Sequence, residues 1–139
     1  MQRKIGQLIL DQKISYIAED HVDTFHLEAE SELIELKNYS RIAYQDEEEN
    51  QVVLKWQQDG PDGPIYLEMR QPQYTMVFHP ENNFKAHYPT PQGVWELEVE
   101  TKALNIAQAS SDQIKIEIDY QIIMNAEPLA NYQFRLIYQ

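Results

Sequence analysis

Ile114-Lys115-Ile116-Glu117-Ile118-Asp119-Tyr120-Gln121-Ile122 alternates apolar and polar residues without a miss. Successive side chains of a β-strand point to opposite faces, so a period of two puts one face against a core and the other in water. The same pattern recurs to either side of this stretch. Tyr132, Phe134, Leu136 and Tyr138 share one parity after a turn at Asn125-Ala126-Glu127-Pro128. Trp95, Leu97, Val99 and Thr101 alternate with Glu96, Glu98 and Glu100 before it, and Leu104 and Ile106 continue the segment until Ser110-Ser111-Asp112 closes it.

Further outward, Phe25, Leu27, Ala29, Ser31 and Leu33 oppose His26, Glu28, Glu30 and Glu32. A first strand runs from about Lys4 to Tyr16, Ile42 and Tyr44 mark a third, and Val52, Leu54 and Trp56 a fourth. Asp59-Gly60-Pro61-Asp62-Gly63-Pro64 is the strongest turn, because glycine supplies positive φ and proline fixes it negative. Ile65, Leu67 and Met69 follow. Tyr74–His79 and Phe84–Tyr88 read as a hairpin around Pro80-Glu81-Asn82-Asn83. The total is about nine to eleven short strands with no helical period of 3.6.

Such a chain is all-β. A flat sheet of this many strands leaves two sticky edges, and closure removes them. The expected architecture is one domain, residues 1–139, folded as an antiparallel closed or nearly closed barrel of about eight to ten strands. A barrel of that size either fills with side chains or holds one small ligand.

Composition bounds the function. A chain of 139 residues makes one domain that buries roughly two-thirds of its unfolded surface. With no cysteine, thiolate catalysis, disulfides and cysteine metal sites are excluded. Eleven basic and 23 acidic residues give a net charge of −12, which opposes nucleic acid and anionic lipid. Met1-Gln2-Arg3-Lys4 is followed by an apolar run of only Leu8-Ile9-Leu10, stopped by Asp11, too short for a signal peptide. The expectation is a soluble, acidic, cytoplasmic protein, and the lack of cysteine fits a reducing compartment.

The segment Met69-Arg70, the turn Tyr88-Pro89-Thr90-Pro91-Gln92-Gly93 and Val99-Glu100-Thr101-Lys102 followed by Leu104 add a further indication. With the final hairpin and its Asn125-to-Pro128 turn, this region resembles the YwiB-like small bacterial proteins of unknown function. The resemblance implies a calycin (lipocalin-like) β-barrel, and it brings no catalytic residues. The proline-rich turn at Gly60–Pro64 and the acidic loop at Asp46–Asn50 depart from the family pattern.

No catalytic motif appears: there is no nucleophile elbow, P-loop or dinucleotide glycine pattern. The expectation leans away from an enzyme, with no catalytic residue, cofactor or metal site. His79 and His87 fall on opposite faces if Glu81-Asn82 is a hairpin tip, which argues against a shared metal. The glutamate rows at Glu28–Glu32 and Glu96–Glu100 read as solvated faces, and Asp46–Asn50 as a wet turn. Arg70, opposite in parity to Met69, points outward to an acidic residue on a neighbouring strand. The aromatics carry the functional expectation. Trp56, Tyr88, Trp95, Tyr120 and Phe134 are the candidate lining of a cavity for a small apolar or amphipathic ligand. The alternative is a filled barrel acting as a protein-interaction module or homodimer through Tyr66, Tyr74 and Phe78. A weaker alternative is an enzyme with its site at the barrel mouth.

Overall fold

The computed structural model describes residues 2–110 and 113–139. Ten strands follow one another: β1 (Gln2–Tyr16), β2 (His21–Glu35), β3 (Ser40–Gln45), β4 (Gln51–Gln58), β5 (Ile65–Arg70), β6 (Thr75–Phe78), β7 (Phe84–Thr90), β8 (Gly93–Ser110), β9 (Gln113–Met124) and β10 (Glu127–Tyr138). They form one sheet in the order β6-β5-β4-β3-β2-β1-β10-β9-β8-β7. All neighbours are antiparallel. The chain is thus two meanders, β1–β6 and β7–β10, joined by the ladder between β1 and β10. The turn expected at Ser110–Asp112 includes Ser111 and Asp112, which lie outside the described residues.

One inner face runs across all the registers. Leu10 sits opposite Leu27 on one side and Leu136 on the other. Ile42 faces Leu54, Leu54 faces Met69, and Met69 faces Met76. In β8 the inward parity shifts from Trp95, Leu97, Val99 and Thr101 to Leu104 and Ile106. A bulge between Thr101 and Ala103 accounts for the shift, since Lys102 is the extra residue. The outer face carries ion pairs such as Arg3–Glu32 and Arg135–Asp119, the latter at 2.8 Å.

The sheet curls until its two end strands meet. Tyr74 packs edge-on against Tyr88 with ring centroids 4.9 Å apart, and His79 tilts against Phe84 at 6.1 Å. Yet no backbone ladder joins β6 to β7 among the described residues. The expected hairpin around Pro80–Asn83 is therefore not one: β6 pairs with β5, β7 pairs with β8, and the seam between them is closed by side chains. The reason the pattern misleads is that apolar parity reports which face a residue occupies, not which strand lies beside it. Pro80-Glu81-Asn82-Asn83 also lacks the two-residue glycine turn that forces a tight hairpin. The result is a nearly closed ten-stranded antiparallel barrel that fits the calycin-like architecture.

The two ends of the barrel differ. In an up-and-down sheet the first, third, fifth, seventh and ninth turns share one end. At the other end Leu8, Leu33, Ile42, Leu54, Leu67 and Phe78 are all but sealed from solvent. Ile114, Ile116 and Leu136 complete this aliphatic plug. It makes one end of the barrel a packed core.

Candidate functional site

The remaining half is hollow. A cavity of about 720 Å³ opens at the end shared by the β1–β2, β3–β4, β5–β6 and β7–β8 turns. That volume lies within the ~300–1,000 Å³ range of small-molecule sites. Its depth is set by an aromatic column. Phe78, from the plug, lies 4.6 Å from Tyr120, and Tyr120 stacks on Tyr132 at 4.6 Å with the rings nearly parallel. Phe134 and Ile122 line the wall beside them. Nearer the mouth stand Tyr16, Tyr44, Tyr74, Tyr88 and Trp95, each on the inner face of a different strand or at its end. Tyrosine suits this position because its ring packs against apolar walls while its hydroxyl reaches toward polar partners.

Four of the five residues expected to line a cavity, Tyr88, Trp95, Tyr120 and Phe134, do so. Trp56 does not. Its parity is inward, but it lies near the end of β4, opposite Ser40 and Leu67, and packs against the closed-end core. Parity gives the face and not the height along the barrel, so alternation alone does not separate Trp56 from Trp95. Counting turns does: Trp56 precedes the fourth turn and Trp95 follows the seventh.

The proposed contact patch also changes. Phe78 is fully buried and faces Leu67 across the β5–β6 ladder. Tyr74 shares its parity and turns into the cavity. β6 has only four residues, too few for alternation to tell inside from outside. Tyr66 does point outward, where it accepts a hydrogen bond from Gln57 and stacks on His79. Arg70 is outward as expected, but its partner is Glu68 on its own strand, at 2.8 Å.

Two polar features of the cavity were not apparent from the pattern. Gln12 stands on the inner face of β1 between Leu10 and Ile14, and its amide reaches the Tyr120 hydroxyl at a long 3.5 Å. A polar residue at an inward position was the available signal. The lip of the cavity is acidic: Glu19, Asp46, Glu47 and Glu48 line it. The Asp46 carboxylate accepts hydrogen bonds from the backbone of Glu48 and Asn50, both at 2.9 Å, and so shapes the β3–β4 turn. Glu19, Glu47 and Glu48 make no ion pair with a basic side chain among the described residues. Lysine and arginine are absent from the lining.

The phenols are held neutral. Burial drives the Tyr120 hydroxyl well above its ordinary range, with nearby Tyr132 and Tyr74 adding to the effect. Burial likewise lifts Tyr44, helped by the Asp46 charge, and lifts Tyr132 to about 12. Each is therefore a hydrogen-bond donor at neutral pH. The Tyr44 side chain is 6% exposed and lines the cavity, and its hydroxyl has no hydrogen-bond partner among the described residues. The Tyr120 hydroxyl accepts from Gln12. Tyr44 and Tyr120 both line the hollow, so their hydroxyls are available to an acceptor on a ligand.

Among the described residues no cluster of three His, Asp or Glu groups is placed to hold a metal. His79 is buried at the closed end, 3.4 Å from Asp59, while His87 is exposed beside Glu96.

Residues 10–136 match the family described as Domain of unknown function (DUF1934). The chain belongs to this family. The crystal structure of the ywiB protein from Bacillus subtilis superposes with a TM-score of 0.74, covering 100% of this chain and 94% of that one. At 14% identity the likeness establishes the shared fold. No curated protein matches the chain. Among the described residues no helix is long and apolar enough to cross a membrane.

Proposed function

We propose that this family member is a binding protein that takes one small, predominantly apolar molecule into the open half of its barrel. The observation that carries the reading is the aromatic-lined hollow of about 720 Å³, with the neutral Tyr44 and Tyr120 phenols in its wall. Apolar walls supply affinity by removing ligand surface from water, and the Tyr44 and Tyr120 hydroxyls supply orientation by donating to a neutral ligand oxygen. Phe25 and Trp95, each about half exposed at the mouth, give the ligand an apolar lip to cross. The packed aliphatic side chains at the other end argue for capture over passage.

The test is native mass spectrometry of the protein purified gently from its own cells, followed by titration of the stripped protein with 1-octanol while Trp fluorescence is read. A reproducible added mass of a few hundred daltons, or a saturable change in Trp95 emission, is expected. Ala130, buried on the cavity wall, supplies the control: Ala130→Trp places a ring in the hollow and should abolish uptake. A bare mass together with no octanol response in a correctly folded protein would falsify the reading.

A further inference from the structure

We infer that the ligand is an organic cation, with its apolar body among the inner aromatics and its ammonium group at the acidic lip. This rests on the binding reading above and adds the charge of what is bound. Three observations point the same way. The lining holds no lysine or arginine, and its one imidazole, His26, is already engaged by Asp11 at 2.6 Å and Glu28 at 2.9 Å, so an anionic head group would enter a protein of net charge −12 with no uncommitted cation to meet it. Glu19, Glu47 and Glu48 stand at the lip with no basic partner among the described residues, so their charge is available to a ligand. Trp95, Tyr88, Tyr74 and Tyr44 also line the hollow, and aromatic ring faces attract a cation through their quadrupoles. Tyr44, which lines the hollow beside Asp46, marks where the apolar body gives way to the charged lip.

Neutral phenols do not rescue the opposite assignment. They donate hydrogen bonds to a carboxylate, but they carry no charge to offset the loss of its hydration. An ammonium at the lip keeps part of its water and gains both carboxylates and rings.

Three probes with one tail separate the possibilities: octyltrimethylammonium, 1-octanol and octanoate, each titrated into the intact chain by calorimetry below its micelle concentration. The cation should bind about tenfold or more tighter than the alcohol, and octanoate more weakly than the alcohol by a similar factor. In the Glu47→Gln/Glu48→Gln variant, the ratio of cation to alcohol affinity should fall to about threefold or less. Ala130→Trp should remove cation binding, which separates cavity entry from ion pairing at the acidic surface. Octanoate binding as tightly as the cation overturns the inference, as does a cation preference that survives Ala130→Trp. Equal binding of all three probes sinks the charge assignment and leaves the cavity reading standing. Binding of none removes both.

Discussion

Gly6 lies on the inner face of β1, facing Ser31, where the last residues of the chain close over it. A Cβ built there falls 2.7 Å from the Gln139 carbonyl oxygen and 2.7 Å from two carbons of the Tyr138 ring. Ordinary contact begins near 3.4 Å, so the neighbours must retreat by about 0.7 Å. Neither retreats easily. The Gln139 carbonyl accepts from the Gln7 amide at 2.7 Å and the Gln139 amide returns a bond of 2.9 Å, which holds the end of β10 to β1. Tyr138 is 2% exposed. Gly6→Ala therefore carries an overpacking cost of about 1–3 kcal/mol. Against it stands a gain of about 0.5–1 kcal/mol from stiffening the unfolded chain. At mid-range values the steric term wins, and the net loss is about 1 kcal/mol. In urea the midpoint should fall by about 0.5–1 M with an unchanged slope. Tyr138→Leu should relieve the ring clash but not the carbonyl clash. The double variant should therefore show a coupling energy of about 0.5 kcal/mol or more, with residual destabilisation. A midpoint that is unchanged or raised in Gly6→Ala would refute the packing argument.

The β9–β10 turn holds Asn125 at φ 53° and Ala126 at φ 63°. Both are left-handed, and alanine is strained there, so Ala126→Gly should stabilise by about 1 kcal/mol, read as a higher thermal or urea midpoint. Phe78→Ala should cost about 3–5 kcal/mol because the ring is fully buried in the plug; a loss below about 1 kcal/mol would mean the site is exposed after all. The cavity tyrosines should resist ionisation in a spectrophotometric titration, with Tyr132 changing only near about 12. Because these phenols bind their protons more tightly when folded, their contribution to stability is complete below pH ~10 and is lost as pH rises toward and through the folded values. Unfolding on the alkaline side should accordingly track tyrosinate formation, and normal titration of all nine tyrosines in the folded chain would contradict the burial.

Much of the site is legible in the chain once each inner residue is given a height as well as a face. Tyr88 and Trp95 flank the seventh turn, so a meander places them at the same end as Tyr16 and Tyr44. The acidic loop at Asp46–Asn50, read as a wet turn, belongs to that end too, which is how it comes to line a cavity. Trp56 borders the fourth turn and falls at the closed end by the same count. His79 and Phe78 resisted such reading because β6 is short and its neighbour across the seam is not its neighbour in a ladder.

Alternation along the chain placed most of the strands and most of the inner face, but not Tyr74 and Phe78 at the four-residue β6 and not the bulge at Lys102. That much follows from local stereochemistry, because side chains alternate, whereas the one-residue insertion that flips the residues beyond Lys102 is fixed by the pairing with β9. Tertiary structure alone decided that the barrel closes through a side-chain seam, that aliphatic residues fill one end, and that aromatic residues leave the other hollow. Whether inward-facing side chains meet across a barrel depends on its radius and on the lengths and directions of groups from ten strands at once. No local pattern contains that sum, so the hollow and its acidic lip emerge only when the sheet curls shut.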